Sequence, residues 1–94
     1  MELVFDDQAI ADLEGIFNWI AQDSPTAAKK VTDRLFESIG LLTSFPLMGH
    51  AGQSIGTYEW VVPRLPYVVV YQIDEQHHRV IIAAVFHGAQ ERGP

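Results

Sequence analysis

Thr57-Tyr-Glu-Trp-Val-Val-Pro-Arg-Leu-Pro-Tyr-Val-Val-Val-Tyr-Gln-Ile-Asp74, followed after a four-residue break by Arg79-Val-Ile-Ile-Ala-Ala-Val-Phe-His-Gly-Ala-Gln90, is the stretch that decides the fold. From Thr57 the apolar period is two, with Tyr58, Trp60 and Val62 on one face. Pro63 ends that strand, because proline has no N–H to give to a ladder. Arg64-Leu65-Pro66 reads as a turn. Tyr67 to Asp74 is rich in β-branched and aromatic residues and apolar on both faces in its first half, which predicts a strand at the sheet centre. Glu75 to His78 is the next turn and Arg79 to Phe86 the last strand, so the stretch predicts a three-stranded antiparallel meander with His87 at its rim.

Upstream the period lengthens. Ile10, Leu13, Phe17 and Ile20 fall at spacings of three, four and three, which predicts one stripe of a helix running to about Gln22, widened by Ile16 and Trp19. Asp6 or Asp7 supplies an N-cap, and with Asp6 as cap Phe5 and Ile10 occupy hydrophobic-staple positions. Ser24-Pro25 restarts the chain as cap and first helical residue. Ala28, Val31, Leu35, Ile39 and Leu42 form a second stripe that stops before Pro46. Two antiparallel helices across so short a break form a hairpin. Glu2 to Phe5 suits an edge strand, and Leu47 to Gly56, with three glycines and no period, reads as a loop. Trp19, Trp60, Phe36 and Phe45 read first as core aromatics, with a partner groove as the second reading for Trp60.

The predicted fold is α+β: an N-terminal strand, an antiparallel helical hairpin, and a three-stranded antiparallel meander packed on it. At 94 residues and 48% apolar content the chain forms one domain, residues 1–94, around a single core. A core of that size leaves a modest stability margin, to which a tightly bound partner adds by mass action. There is no cysteine, hence no disulfide, thiol nucleophile or thiolate metal site. The longest apolar run, Val80 to Phe86, is far short of a membrane span, and the N-terminus lacks a basic signal-peptide start, so the expected location is cytoplasmic, away from membranes.

Charge is unevenly placed. Residues 1–23 hold six acids (Glu2, Asp6, Asp7, Asp12, Glu14, Asp23) and no Lys or Arg, while the remaining residues balance, giving the total of −6. An acidic first helix will not lie on a phosphate backbone, so direct nucleic-acid binding is not expected. It reads either as a solvated face or as a docking surface in which Asp7, Asp12 and Glu14 meet a basic partner segment.

Antiparallel counting around Glu75–His78 sets Tyr67 roughly opposite Phe86, so Arg64, Tyr67 and His87 gather at one sheet end. Arg79 shares the parity of His87 but lies roughly 26 Å away along the strand. An imidazole beside a guanidinium is the minimum for ribonuclease-type transesterification, one group moving protons and the other stabilising phosphorane charge. A lone His at a strand end is also, and more often, a hydrogen-bonded structural residue. His77-His78 on a turn and His50 in a loop read as exposed, with no metal ligand set among them, and no cofactor is expected.

Ala11-Asp-Leu-Glu-Gly-Ile16, Ser24-Pro-Thr-Ala-Ala28, Phe45-Pro-Leu-Met-Gly49, Gly56-Thr-Tyr-Glu-Trp-Val-Val62, the Tyr67–Tyr71 strand and Phe86-His-Gly-Ala-Gln90 together resemble the ParE branch of the RelE/ParE toxin superfamily. The resemblance covers nearly the whole chain and lies in order and spacing. It implies a type II toxin that binds and inhibits DNA gyrase and forms a hetero-oligomer with a cognate antitoxin. The RNA-cleaving branch carries an Arg where this chain has Val68, and an aromatic acid–base residue where it has Gly88. Those departures argue against messenger-RNA cleavage. Two alternatives stay open: a ribosome-dependent endoribonuclease using His87, Arg64 and Tyr67, and a non-toxic module that only titrates its antitoxin. Many ParE relatives have Arg at the position of Tyr58, which with Trp60 and Arg92 joins the acidic residues as a candidate partner-binding position.

Overall fold

In the computed structural model, which describes residues 1–89, strand β1 (Glu2–Phe5) hands over at Asp6 to helix α1 (Asp7–Ala21). Asp6 occupies the N-cap position with extended dihedrals, but its side chain makes no capping bond. It works through its backbone, donating N–H to the Ile82 carbonyl at 2.9 Å while its own carbonyl accepts from Ile10 N–H at 3.1 Å. Helix α2 (Pro25–Gly40) starts as its sequence dictates, with Ser24 Oγ accepting from Ala27 N–H at 3.1 Å and Pro25 in the first turn. A 3₁₀ turn, Leu41–Thr43, completes it.

The sheet has five strands in the order β1-β5-β4-β3-β2. Strands β3 (Tyr58–Val61), β4 (Tyr67–Asp74) and β5 (Arg79–His87) form the expected meander, with β4 at the centre. β1 lies parallel to β5 at one edge, Leu3 beside Val80 and Phe5 beside Ile82. The segment expected to be a loop contains β2 (His50–Ala51), antiparallel to β3 at the other edge. A two-residue strand has no period to read. Side chains of the sheet hold it: Tyr71 Oη donates to the Pro46 carbonyl at 2.7 Å and accepts Gly49 N–H at 3.0 Å, and the buried Glu59 carboxylate accepts Gln53 N–H at 3.1 Å.

The register of the last hairpin departs from simple counting. Asp74 pairs with Arg79 and Tyr71 with Ile82, but Val70 pairs with Ala84 and Tyr67 with His87 rather than Phe86. Ala83 is the extra residue of a β-bulge. Because strand side chains alternate, one extra residue exchanges the faces beyond it. Val80 and Ile82 point toward the helices, and after the bulge so do Val85 and His87. The parity shared by Arg79 and His87 in the unbroken count is therefore lost.

Both helices lie on one face of the sheet. Ala9, Leu13, Leu35, Ile39 and Leu42 pack on Trp60, Val69, Tyr71, Val80 and Ile82 to make the core. On α1 the buried line runs through Ala9 and Leu13, whereas Ile10 is 44% exposed and Phe17 37% exposed. Trp60 is a core residue at 8% exposure, but Trp19, Phe36 and Phe45, also expected there, are 72%, 50% and 60% exposed. The physical reason is geometric: a two-layer domain covers only one side of its helices, and apolar side chains around α1 span a wider arc than the sheet and α2 can cover.

Candidate functional site

The bulge builds the sheet end where sequence reasoning placed Tyr67, Arg64 and His87. Tyr67 and His87 meet edge to face, their ring centroids 5.6 Å apart. His87 Nδ1 accepts Ala89 N–H at 3.0 Å. Burial raises the Tyr67 phenol above its ordinary pKa of 10.0, farther from neutrality. Arg64 sits in the β3–β4 turn at the same end, exposed and with φ of 66°. A cleft of about 760 Å³ opens beside this end, lined by Asp12, Gly15, Trp19, Tyr67, Val85 and His87.

The acidic helix is not one ridge. Asp12 Oδ2 accepts Val85 N–H at 2.9 Å, and its Oδ1 accepts from Gln8 Nε2 at 2.7 Å. Val85 lies just past the bulge, and its amide bonds to the helix. Asp12 thus fastens α1 to β5 two residues before His87. Asp7 and Glu14, seven residues apart, lie within about 20° of each other around the helix, roughly 140–160° from Asp12. Both are exposed. Beside them a second concavity of about 350 Å³ runs between α1 and α2, lined by Phe5, Ile10, Leu13, Glu14, Phe17 and Phe36. Phe5 and Phe36, which both line it, pack with ring centroids 5.8 Å apart. The sequence places Ile10 and Phe17 on one stripe with Leu13 and Ile20; in the structure they form a separate, exposed apolar line beside Ala9 and Leu13.

The remaining positions separate. Tyr58 is half-buried and stacks on Tyr71 with centroids 5.5 Å apart. Trp60, also a candidate partner-binding position, packs in the core and is 8% exposed. Arg92 lies outside the described residues. His77 Nδ1 lies 2.9 Å from Asp74 Oδ2, to which Arg79 Nε also donates at 3.0 Å. Desolvation would raise the Asp74 pKa, but the bonds from His77 and Arg79 outweigh it and hold the carboxyl below 3.8. This is a tied β4–β5 turn. Among the described residues no three His, Asp or Glu side chains converge as a metal-binding group, and no helix is long and apolar enough to cross a membrane.

The family model described as the ParE toxin of the type II toxin–antitoxin system parDE matches residues 3–92. The protein Y4kP of Sinorhizobium fredii, whose name marks it as a candidate toxin, is 31% identical over 84 residues, covering 89% of this chain and 84% of its own. A chromosomal ParDE system structure from P. aeruginosa superposes with a TM-score of 0.81 at 19% identity, over 93% of this chain and 95% of that one. The RelBE2 toxin–antitoxin complex of Mycobacterium tuberculosis gives 0.60 at 27% identity, over 92% and 95%. The intact E. coli RelBE complex gives 0.60 at 17% identity, over 96% and 98%. A helical hairpin on one face of a bulged five-stranded sheet, matched by that family model over all but the chain's extremities, is the fold of a type II toxin, and this chain belongs to the ParE toxin family within the RelE/ParE superfamily.

Proposed function

We propose that this toxin inhibits DNA gyrase by binding it, and that a cognate antitoxin neutralises it by covering the apolar side chains left exposed on its helices. The observation that carries the choice of binding over RNA cleavage is the chemistry of the β5 end. It offers one imidazole whose Nδ1 takes the Ala89 amide, and a phenol whose pKa burial raises above 10.0, still farther from the operating pH. Position 88 is glycine, with no group to move a proton, and Val68 is a buried sheet residue where the nuclease branch has a cation. Transesterification needs an acid and a base poised near the operating pH. A binding inhibitor needs surface complementarity alone. A gyrase target places the protein in the cytoplasm.

Purified toxin added to a gyrase supercoiling reaction should inhibit it, and His87→Ala should inhibit equally. Primer extension on translating ribosomes should show no new ends. Codon-positioned cuts that vanish in His87→Ala would overturn this reading in favour of the endoribonuclease. Co-expression with the protein encoded by the adjoining small reading frame should yield a complex and relieve growth arrest. A complex without growth arrest in the toxin-only strain would mean a module that merely titrates its antitoxin.

A further inference from the structure

Resting on the reading of the chain as a gyrase-binding toxin, we infer that the cleft between α1 and the end of β5 receives an arginine side chain of the target, its guanidinium held between the Asp12 carboxylate and the Trp19 indole. The helix is shaped for an occupant. Trp19 lies within about 20° of Asp12 around α1 and about 10.5 Å along it, and Gly15 stands between them. All three line the cleft, together with Tyr67, Val85 and His87 from the sheet. A glycine inside a helix costs stability, and packing gives no reason for this one, since an added Cβ would meet nothing within 4 Å. Its missing side chain keeps the cleft open. Trp19 is equally unexplained by the core, being 72% exposed.

Chemistry selects the occupant. Among the described residues, Asp12 is the only Asp, Glu, Lys or Arg lining the cleft, and residues 1–23 hold no Lys or Arg to neutralise it. Arg64, at the same sheet end, does not line it. The Asp12 oxygens accept one bond each, from Val85 N–H at 2.9 Å and from Gln8 Nε2 at 2.7 Å, which leaves about half of a carboxylate's four acceptor sites for a ligand. A guanidinium suits both partners, because its planar fork pairs with carboxylates and its face stacks on an indole. Magnitude decides between a free molecule and a protein side chain. A cation over an exposed indole and a half-exposed ion pair are each worth about two- to fivefold in affinity, together about 4- to 25-fold. A free arginine derivative would then bind only at roughly 40–250 mM, so the cation has to arrive on a protein already held by other contacts. The exposed apolar line of Ile10 and Phe17 lies about 140–160° around α1 from Asp12, a flank separate from this one. An antitoxin that covers that line leaves the cleft to the target.

Gly15→Leu tests this directly, because it fills the cleft while improving the helix, and its melting midpoint should not fall below the parent's. In the gyrase supercoiling reaction its half-inhibitory concentration should rise at least about tenfold, more than loss of one of the two contacts. Asp12→Asn, which removes the charge and keeps an acceptor, and Trp19→Leu, which keeps apolar bulk without the ring, should each raise it about two- to fivefold. Trp19→Phe should stay closer to the parent, and Glu37→Ala on α2 should match it. In nuclear magnetic resonance spectra at about 100 mM ligand and fixed ionic strength, Nα-acetyl-arginine amide should move the Trp19 indole N–H resonance, and the uncharged citrulline analogue should not. Equal shifts from the two amides overturn the inference. So does an Asp12→Asn variant that inhibits better than the parent, because the occupant would then be apolar. Loss of antitoxin co-purification in Gly15→Leu also overturns it, since the cleft would belong to the antitoxin. A parent that leaves gyrase active sinks the gyrase reading and this inference with it; a parent that inhibits, with Gly15→Leu equally potent, sinks the cleft assignment alone.

Discussion

Replacing Asp12 by alanine should cost far more stability than replacing any other acid of α1. Asp12 Oδ2 is the acceptor for Val85 N–H at 2.9 Å, and Val85 is only 3% exposed. A hydrogen bond to an ionised group contributes about 1.5–3 kcal/mol, and a buried amide left without a partner costs about 1–3 kcal/mol. These describe one loss seen from its two ends and do not add. Because Asp12 is half-exposed and water can follow the shortened side chain, the expected value is about 2 kcal/mol. In a domain of this size each 1 kcal/mol moves the melting midpoint by roughly 4–8 °C, so the fall should be about 8–16 °C. Asp12→Asn keeps an acceptor of the same shape without the charge and should recover about half of that. Asp7→Ala and Glu14→Ala, at exposed positions, should stay within about 0.5 kcal/mol of the parent. Urea unfolding followed by tryptophan fluorescence reads all four, since Trp60 reports on the core. If Asp12→Ala falls within about 0.5 kcal/mol of Asp7→Ala, the claim that Asp12 fastens the bulged end of β5 to α1 is wrong.

Other residues give equally direct tests. Tyr71→Phe strands the Pro46 carbonyl and the Gly49 amide and should cost about 1–3 kcal/mol in urea unfolding. Burial raises the Tyr71 pKa against the opposing bond from Gly49, so the neutral phenol is favoured in the folded state. Its stabilising effect is complete below the unfolded value near 10.0 and is lost as pH rises through the folded value, so native stability should decline in alkali more steeply than that of Tyr71→Phe. Gly15→Ala should raise stability by about 0.5–1 kcal/mol, because the added methyl meets nothing within 4 Å and the helix loses its most flexible residue. Gly49→Ala should do the reverse: its Cβ would come 2.7 Å from both the Glu59 carbonyl oxygen and Tyr71 Oη, and differential scanning calorimetry should show a lowered midpoint. Asp74→Asn should be less stable than the parent at neutral pH, and the difference should close in acid. The native carboxyl has a lowered pKa, so its contribution is present above 3.8 and lost as pH falls through the folded value.

Local chemistry determined most of the fold. Ser24-Pro25 sets the start of α2 whatever lies around it, Pro63 ends β3, and the alternation Tyr58, Trp60, Val62 assigns the core face of that strand. Each depends on covalent geometry or on a period that the chain carries by itself. The order of elements also fits a known toxin family, which is why family membership was legible before any contact was. The sheet end was less so. Uniform counting put Tyr67 opposite Phe86 and gave His87 the parity of Arg79, and a single extra residue, Ala83, changed both. Nothing in Ile-Ile-Ala-Ala-Val announces a bulge; it exists where the Val85 amide leaves the ladder for Asp12, 73 residues earlier in the chain. Helical periodicity likewise shows that α1 is apolar over a wide arc, but only packing against the sheet and α2 decides which part is covered. Ala9 and Leu13 are enclosed, while Ile10, Phe17 and Trp19 remain at the surface. The acidic helix divides for the same reason: Asp12 meets a backbone amide across the core edge, Asp7 and Glu14 meet water, and that distinction resides in tertiary contacts rather than in side-chain type.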